Sequence, residues 1–464
     1  DALGNLYATS LWRRVSYDPS DQKNIDFNLN FRQNFKSNRG YLTADATHSI
    51  GTDMIQGFYD QTQYSLDTVE LSMVAPLSQR LSNKESSRVT TLQTDGVYLW
   101  PDQSIRIEFG AKGIVRHQVV DTYSETMDSV SNVFLEDTLS NFLYNYDEQI
   151  FSVYGIVAHQ YKKFKYQAGV RLEQAYQIPN LVSDTIRIVN EYFNFFPSAH
   201  IRYTIKQGSE LGLSYSRRIT RASSSDLNPF TSYADPLNLQ RGNPYLSPEY
   251  IHSFDLAYSL EKKKLTVSSS LYFRQSDGVI SRFKEFYPDN TSAVTYMNIA
   301  QTKALGAELI LMFKPSPSLR STISYNGNYT WYKTNMAEFP DRQGFNHNVK
   351  WNTSYEFWKK TATLQLSVNY NGPRVTVQGI AQRKGPIDLA FEKKLANGNW
   401  SIGTRVTDIF DRQGFYFEVD RPGIVQTGEF KWLTRRVYVS ASYKFGKLEI
   451  SKAKQSTGDG GGEL

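Results

Sequence analysis

Apolar and polar residues alternate with a period of two along much of this chain. Val437, Val439, Ala441, Tyr443 and Phe445 alternate with Tyr438, Ser440, Ser442 and Lys444. Ala362, Leu364, Leu366, Val368 and Tyr370 alternate with Thr363, Gln365, Ser367, Asn369 and Asn371. Ile105, Ile107, Phe109 and Ala111 are offset from Arg106, Glu108, Gly110 and Lys112, as are Tyr166, Ala168, Val170 and Leu172 from Gln167, Gly169, Arg171 and Glu173. Phe254, Leu256, Tyr258 and Leu260 face away from Ser253, Asp255, Ala257 and Ser259. Successive side chains of a strand point to opposite faces, so each segment predicts a β-strand with one apolar and one polar face. About ten residues of such alternation suit a tilted strand crossing a bilayer.

The connections separate a membrane barrel from a soluble sandwich. Short turns fall at 100–104, 161–164, 206–209, 261–264, 314–318, 358–361 and 396–399. Long polar connections fall near 122–142, 178–190, 222–249, 276–296, 333–343, 374–384 and 411–429. Short and long alternate, as in outer-membrane barrels with short periplasmic turns and long extracellular loops. The chain is therefore expected to be all-β, a transmembrane antiparallel up-and-down barrel over residues 1–446 with about 18 strands. The first strand is expected near 5–17 and the last near 430–445, with both chain ends on the periplasmic side. Thr68–Val74 reads either as an extra strand or as part of a long loop. Residues 447–464, rich in Lys, Ser and Gly, read as a disordered polar tail.

Composition changes this picture little. A mean hydropathy of −0.50 looks soluble, but lumen-facing residues dilute the lipid-facing ones in a barrel. No run of about 18 apolar residues predicts a transmembrane helix. Aromatic residues make up 14%, with 31 Tyr and 27 Phe, which suits interfacial girdles. The absence of cysteine excludes disulfides and thiolate metal sites. Net charge is +6, yet the basic residues are scattered and form no stripe for nucleic acid. The opening Asp1-Ala-Leu-Gly carries no leader pattern, so the chain reads as mature or as a fragment.

Three motifs carry a resemblance. Asn228-Pro229-Phe230, followed by the run 235–249 with Gly242-Asn243-Pro244, Pro248 and Glu249, resembles the "NPF … GNPxLxPE" loop of TonB-dependent receptors. The segment 298–308, ending in Gly306-Ala-Glu308, resembles their "N…GxE" strand. Val406-Thr-Asp408-Ile-Phe410-Asp411 is similar to their "NLFD" segment one strand before the end. The chain is identified on these motifs as the barrel of a TonB-dependent outer-membrane receptor. The resemblance implies a 22-stranded barrel, outer-membrane lipid around it, a plug domain that closes it, a TonB-type energy-coupling complex and, in some members, a surface lipoprotein. The plug and the first strands are not visible in these residues.

Read physically, the motifs are mainly structural. Pro229, Pro236, Pro244 and Pro248 mark a rigid loop; Gly242-Asn243 suits a turn with positive φ; Asp408 and Asp411 suit Asx-type bonds at a strand end. The alternative for the 222–249 loop is ligand contact. Arg106, Glu108, Arg171, Glu173, Arg202 and Arg405 are expected to face the lumen. Arg217, Arg218 and Arg221 are expected at the mouth, where they attract anionic ligands or form a solvated loop base near lipid headgroups. His252, Ser253 and Asp255 cannot form a triad, because adjacent strand residues face opposite ways. No catalytic, cofactor or metal constellation is read. The functional expectation is uptake of a bulky nutrient such as a metal chelate, oligosaccharide or peptide. Its alternatives are a passive porin-like channel, for which no inward-folded constriction loop is evident, and an outer-membrane hydrolase.

Overall fold

The computed structural model describes residues 10–445 except 68–69, 103, 183–187, 233–237, 288–290, 335–339 and 422–423. The expected tail at 447–464 lies outside them. The described residues form one 21-stranded sheet and a separate four-stranded sheet. Three strands of the main sheet, Phe134–Glu136, Thr231–Ser232 and Asn238–Arg241, are short pieces inside connections. The remainder form an antiparallel meander in which each strand pairs with its sequence neighbours.

The N-terminal end differs from the expectation. Ser10–Tyr17 and Ser20–Asn34 both pair with the same edge of Gly40–Asp67, at positions 58–65 and 41–55. They are two halves of one strand interrupted at Asp18-Pro19, where proline has no N–H to give the ladder. Seventeen spans thus remain among the described residues. The odd number reverses one end: Ser10 lies at the rim of the long connections, while Tyr443, opposite Trp400, lies at the rim of the short turns. The two described ends of the chain are therefore not on one side.

All the short turns lie where the alternation places them, and a further one, Lys36–Asn38, joins the first two spans. The long connections hold more strand than their polarity suggests. Gly40–Asp67 and Glu70–Leu99 pair from Gly40↔Tyr98 to Asp67↔Glu70, so residues 70–74 continue a strand and are not an extra one. These two strands have 28 and 30 residues, roughly 90–100 Å at the usual rise. The last two, Trp400–Thr407 and Arg436–Tyr443, have 8 each. The wall is therefore tall on its N-terminal side and only about a bilayer high on the other. The regions 374–384 and 411–429, expected as loops, build the second sheet from Arg374–Thr376, Gly379–Lys384, Gly414–Arg421 and Ile424–Lys431.

The register sorts the two faces. Leu366 lies beside Leu389, and Ser367 lies between Asn352 and Asp388. The apolar face bears Phe151, Val153, Leu172, Phe193, Leu213, Phe254 and Leu364, all well exposed, as lipid-facing residues of a barrel must be. No ladder joins Ser20–Asn34 to Arg436–Tyr443 among the described residues, and every residue of both strands is exposed.

Candidate functional site: the mouth and the inner wall

The connection from Arg221 to Pro248, at the long-connection rim, turns inward instead of reaching away. Its first turn is the short helix Ser224–Leu227, capped by Ser223 and Asp226 in a reciprocal capping box. Leu227 and Leu246 are buried against Tyr144 and Tyr146 of the strand Phe142–Tyr161. Those tyrosines share the inward face with Glu148 and Ser152, so the loop rests on the inner wall. Phe230 stacks on Phe142 at 3.9 Å. An inward-folded loop therefore does exist, contrary to the expectation; its proline and asparagine content hides the two leucines that anchor it.

Hydrogen bonds tie this loop to both sides of the sheet. Tyr144 donates to the carbonyl of Ser224, Tyr192 to that of Leu246, and Asn190 to that of Pro244. On the other side, Asn243 donates to the carbonyl of Tyr296, and Asn298 exchanges two bonds with Ser247. The loop is thus a crosspiece between the strands Phe142–Tyr161 and Asn190–Lys206 on one side and Ser292–Ser316 on the other.

The motif residues hold the crosspiece together. The amide of Gly242 donates to the carbonyl of Asn228, and that of Asn243 to the carbonyl of Asp226. A Cβ on Gly242 would lie 2.5 Å from both carbonyl oxygens. Gly242 and Asn243 do not have positive φ, contrary to the expectation; glycine is needed there for close backbone approach. Pro229, Pro244 and Pro248 lie in this loop, whereas Asp235 and Pro236 fall outside the described residues. Glu249 opens the next strand opposite Thr220. Gly306 seats the ring of Tyr272, whose hydroxyl bonds Asn326; Asn326 in turn donates to Glu308 at 2.6 Å.

The charges form pairs. Arg106 meets Glu108 at 2.9 Å and Arg405 meets Asp388 at 2.7 Å. Below the crosspiece, Arg221 and Arg171 both contact Glu173, and Arg116 reaches Glu148 at 3.2 Å. Gln177 and Tyr146 also donate to Glu148, and Gln177 donates to the carbonyl of Ala222. Glu148, Glu173 and Gln177 are buried. Arg116, Glu148, Gln177 and Tyr146 escape sequence reading because nothing marks the wall that the loop covers. Arg202 lies on the same inward face, opposite Gly212. Arg217 is committed to its own wall, donating to the carbonyl of Phe195 and lying over the ring of Tyr250. Arg218, opposite Ile251, makes no ion pair among the described residues. Ser253 bonds Asp255 while His252 bonds Tyr215, which leaves no triad.

Asp408 is fully buried at the end of Trp400–Thr407. Its carboxylate accepts from the amides of Arg412 and Gln413 and from the Thr434 hydroxyl. Burial opposes the charge, but the hydroxyl and the two amides prevail and hold the carboxyl below the usual range. Asp411 has positive φ and pairs with Lys431 at 2.8 Å, while Phe410 is exposed. The segment is a strand-end knot. No group of three or more His, Asp or Glu residues arranged to hold a metal occurs among the described residues.

A cavity of about 310 Å³ opens between the crosspiece and the inner wall, lined by Phe142, Phe230, Gln240, Arg241, Arg282 and Tyr296 among others. The arrangement can receive a polar solute in a narrowed mouth.

Solved structures share this fold. The ferric yersiniabactin uptake receptor FyuA from Yersinia pestis aligns over 94% of this chain and 71% of its own, with 11% identity and a TM-score of 0.55. The copper transporter OprC aligns over 95% and 81%, with 10% identity and a TM-score of 0.57. The pyoverdine outer membrane receptor FpvA from Pseudomonas aeruginosa PAO1 aligns over 92% and 62%, with 13% identity and a TM-score of 0.60. A search of curated proteins finds no match to the sequence. The model of the outer membrane protein beta-barrel family matches residues 33–443. The fold is that of the TonB-dependent receptor barrel, its place is the outer membrane, and the chain belongs to the outer membrane protein beta-barrel family.

Proposed function

We propose that this chain is the wall of a TonB-dependent receptor that imports a bulky nutrient across the outer membrane. The observation that carries the reading is the crosspiece. The residues that resemble the receptor motif, Asn228 and Gly242, are in direct contact and brace a loop across the mouth. A wall of seventeen or more strands is too wide for its own side chains to fill, so it encloses water or a separate plug. The partners on this reading are outer-membrane lipid, a plug domain and a TonB-type complex, with a surface lipoprotein in addition in some assemblies. Iron chelates and copper are named for the neighbouring structures; a metal chelate, an oligosaccharide or a peptide fits this chain's polar lumen.

A second reading, a passive channel, is favoured by one observation: the crosspiece narrows the mouth as a constriction loop does. Conductance decides between the two. The protein purified from its own outer membrane is placed in planar bilayers before and after mild urea treatment. The receptor reading expects no open conductance until urea displaces the plug, and nutrient uptake in cells that stops when the TonB-type complex is deleted. A large conductance without urea, with uptake indifferent to that complex, overturns it.

A further inference from the structure

The inner wall has two chemically different halves. On the strands Ile105–Met127, Phe142–Tyr161 and Phe164–Leu181 the inward positions carry Arg106, Glu108, Arg116, Glu148, Arg171 and Glu173, with Lys112 opposite Ser152 and Lys165 paired to Glu210. The first six each take part in an ion pair, and Arg116, Glu148, Arg171 and Glu173 meet under the crosspiece. Their charges are engaged with one another and leave little for a passing solute.

The strands Leu319–Thr334, Arg342–Phe357 and Ala362–Asn371 differ. Register places 322–330, 346–354 and 365–371, taken at alternate positions, on one inward face. Every residue there is Asn, Gln, Ser or Thr, except Lys350. Several bond along the wall: Asn346 donates to Asn328, and Ser367 to Asn352. The side chains of Asn348 and Asn369 make no hydrogen bond among the described residues, and Oδ1 of Asn369 is shielded from water without a partner. A primary amide offers two donors and an acceptor, and a hydroxyl offers both. Such a surface matches a solute whose groups are themselves mixed donors and acceptors. Its charges are Lys350 and, at its lower edge, Arg320, and it offers no carboxylate, so a cationic solute would be desolvated there without compensation.

We propose that the conduit runs along this amide and hydroxyl wall and that the solute is polyhydroxylated and carries no cationic group, of the oligosaccharide class. The inference rests on the transporter reading and narrows its substrate. The side chain of Asn348 and the Nδ2 of Asn369 are the open contacts that the solute engages.

The test uses the protein purified from its outer membrane, opened by urea in planar bilayers. The probe is a neutral linear glucose oligomer of six or seven units, with spermine as the cationic comparison. The glucose oligomer should interrupt the current. Loss of two hydrogen-bonding amides in the double variant Asn348→Leu/Asn369→Leu should shorten its residence on the order of tenfold. The variant Arg106→Gln/Glu108→Gln, on the other wall, should leave residence unchanged. Heat-modifiable mobility confirms that each variant is folded. Equal residence in wild type and the asparagine variant, or longer interruptions by spermine than by the oligomer, overturns this inference and leaves the transporter reading standing. A folded protein with no conductance after urea overturns both.

Discussion

Arg221 and Glu173 form an ion pair in which both side chains are largely withdrawn from solvent, at 15% and 6% exposure. Arg221 begins the crosspiece and Glu173 belongs to the wall, so this pair joins the mobile-looking part of the sequence to the rigid part. A buried pair is weak evidence for net stability, but removing one partner strands the other charge.

Glu173→Ala should therefore cost about 3–5 kcal/mol, as deletion of one member of a buried pair typically does. It leaves Arg221 and Arg171 facing each other with Glu148, already paired to Arg116, as the neighbouring anion. The double change Glu173→Leu/Arg221→Met should recover much of this loss. Denaturant unfolding of the detergent-folded protein, with protease cleavage in 221–248 as a local readout, measures both. A single variant as resistant as wild type would mean that the pair does not hold the crosspiece.

Gly242→Ala tests the contact with Asn228. Its Cβ would meet two backbone carbonyls at 2.5 Å, and backbone cannot swing aside as a side chain does, so overpacking of about 1–3 kcal/mol is expected. Gly155→Ala is the control, because nothing lies within 4 Å of a Cβ there. Faster proteolysis of the loop in the first variant and not in the second is the expected result; equal rates would refute the close-approach reading.

The faces of one strand give a further test. Leu366 faces outward and Ser367 bonds Asn352 on the inner face. Arginine on the lipid side near the bilayer midplane costs about 2–4 kcal/mol. Leu366→Arg should lower the yield of heat-modifiable barrel far more than Ser367→Arg does. Equal yields would show that Ala362–Asn371 does not cross a membrane.

Asp408 supplies a pH dependence of known sign. Its carboxyl is held low in the folded state, so its stabilisation is complete above the unfolded carboxylate value of about 3.9 and is lost as pH falls through the depressed folded value. Asp408→Asn should cost about 1–3 kcal/mol at neutral pH, since buried amides lose a charged acceptor. The gap from wild type should close below about pH 4. A gap that persists unchanged at pH 3 contradicts this account.

Particular residues show what could be read in advance. The alternation from Ala362 to Asn371 was sufficient to fix both the strand and its lipid face, because a period of two admits one assignment once the lumen is polar. Asp408 was legible as a backbone-binding residue for the same local reason; the carboxylate of Asp411 pairs with Lys431 instead. The break at Asp18-Pro19 was not, because a proline between two alternating segments marks a turn as readily as an interruption within one strand. That one ambiguity changed the strand parity and the side on which Ser10 lies. The inner wall under the crosspiece was also illegible. Glu148 and Gln177 sit in an ordinary strand pattern, and only the inward fold of Leu227 and Leu246, set by contacts far along the chain, buries them.

Parity makes the last prediction. Turns such as 263–264 and connections such as 128–133 lie at opposite rims of the sheet, and outer-membrane barrels keep the short turns in the periplasm. Val130 is 92% exposed in such a connection; Lys263 is exposed in a short turn. The chain has no cysteine of its own, so Val130→Cys and Lys263→Cys each report one position alone. In intact cells a membrane-impermeant maleimide should label Val130→Cys, and should label Lys263→Cys only after the outer membrane is opened. Because Ser10 ends the interrupted first strand at the same rim as Val130, Ser10→Cys should behave as Val130→Cys does. If Ser10→Cys labels like Lys263→Cys, then Ser10–Tyr17 and Ser20–Asn34 are two spans and not one, and the count of seventeen is wrong.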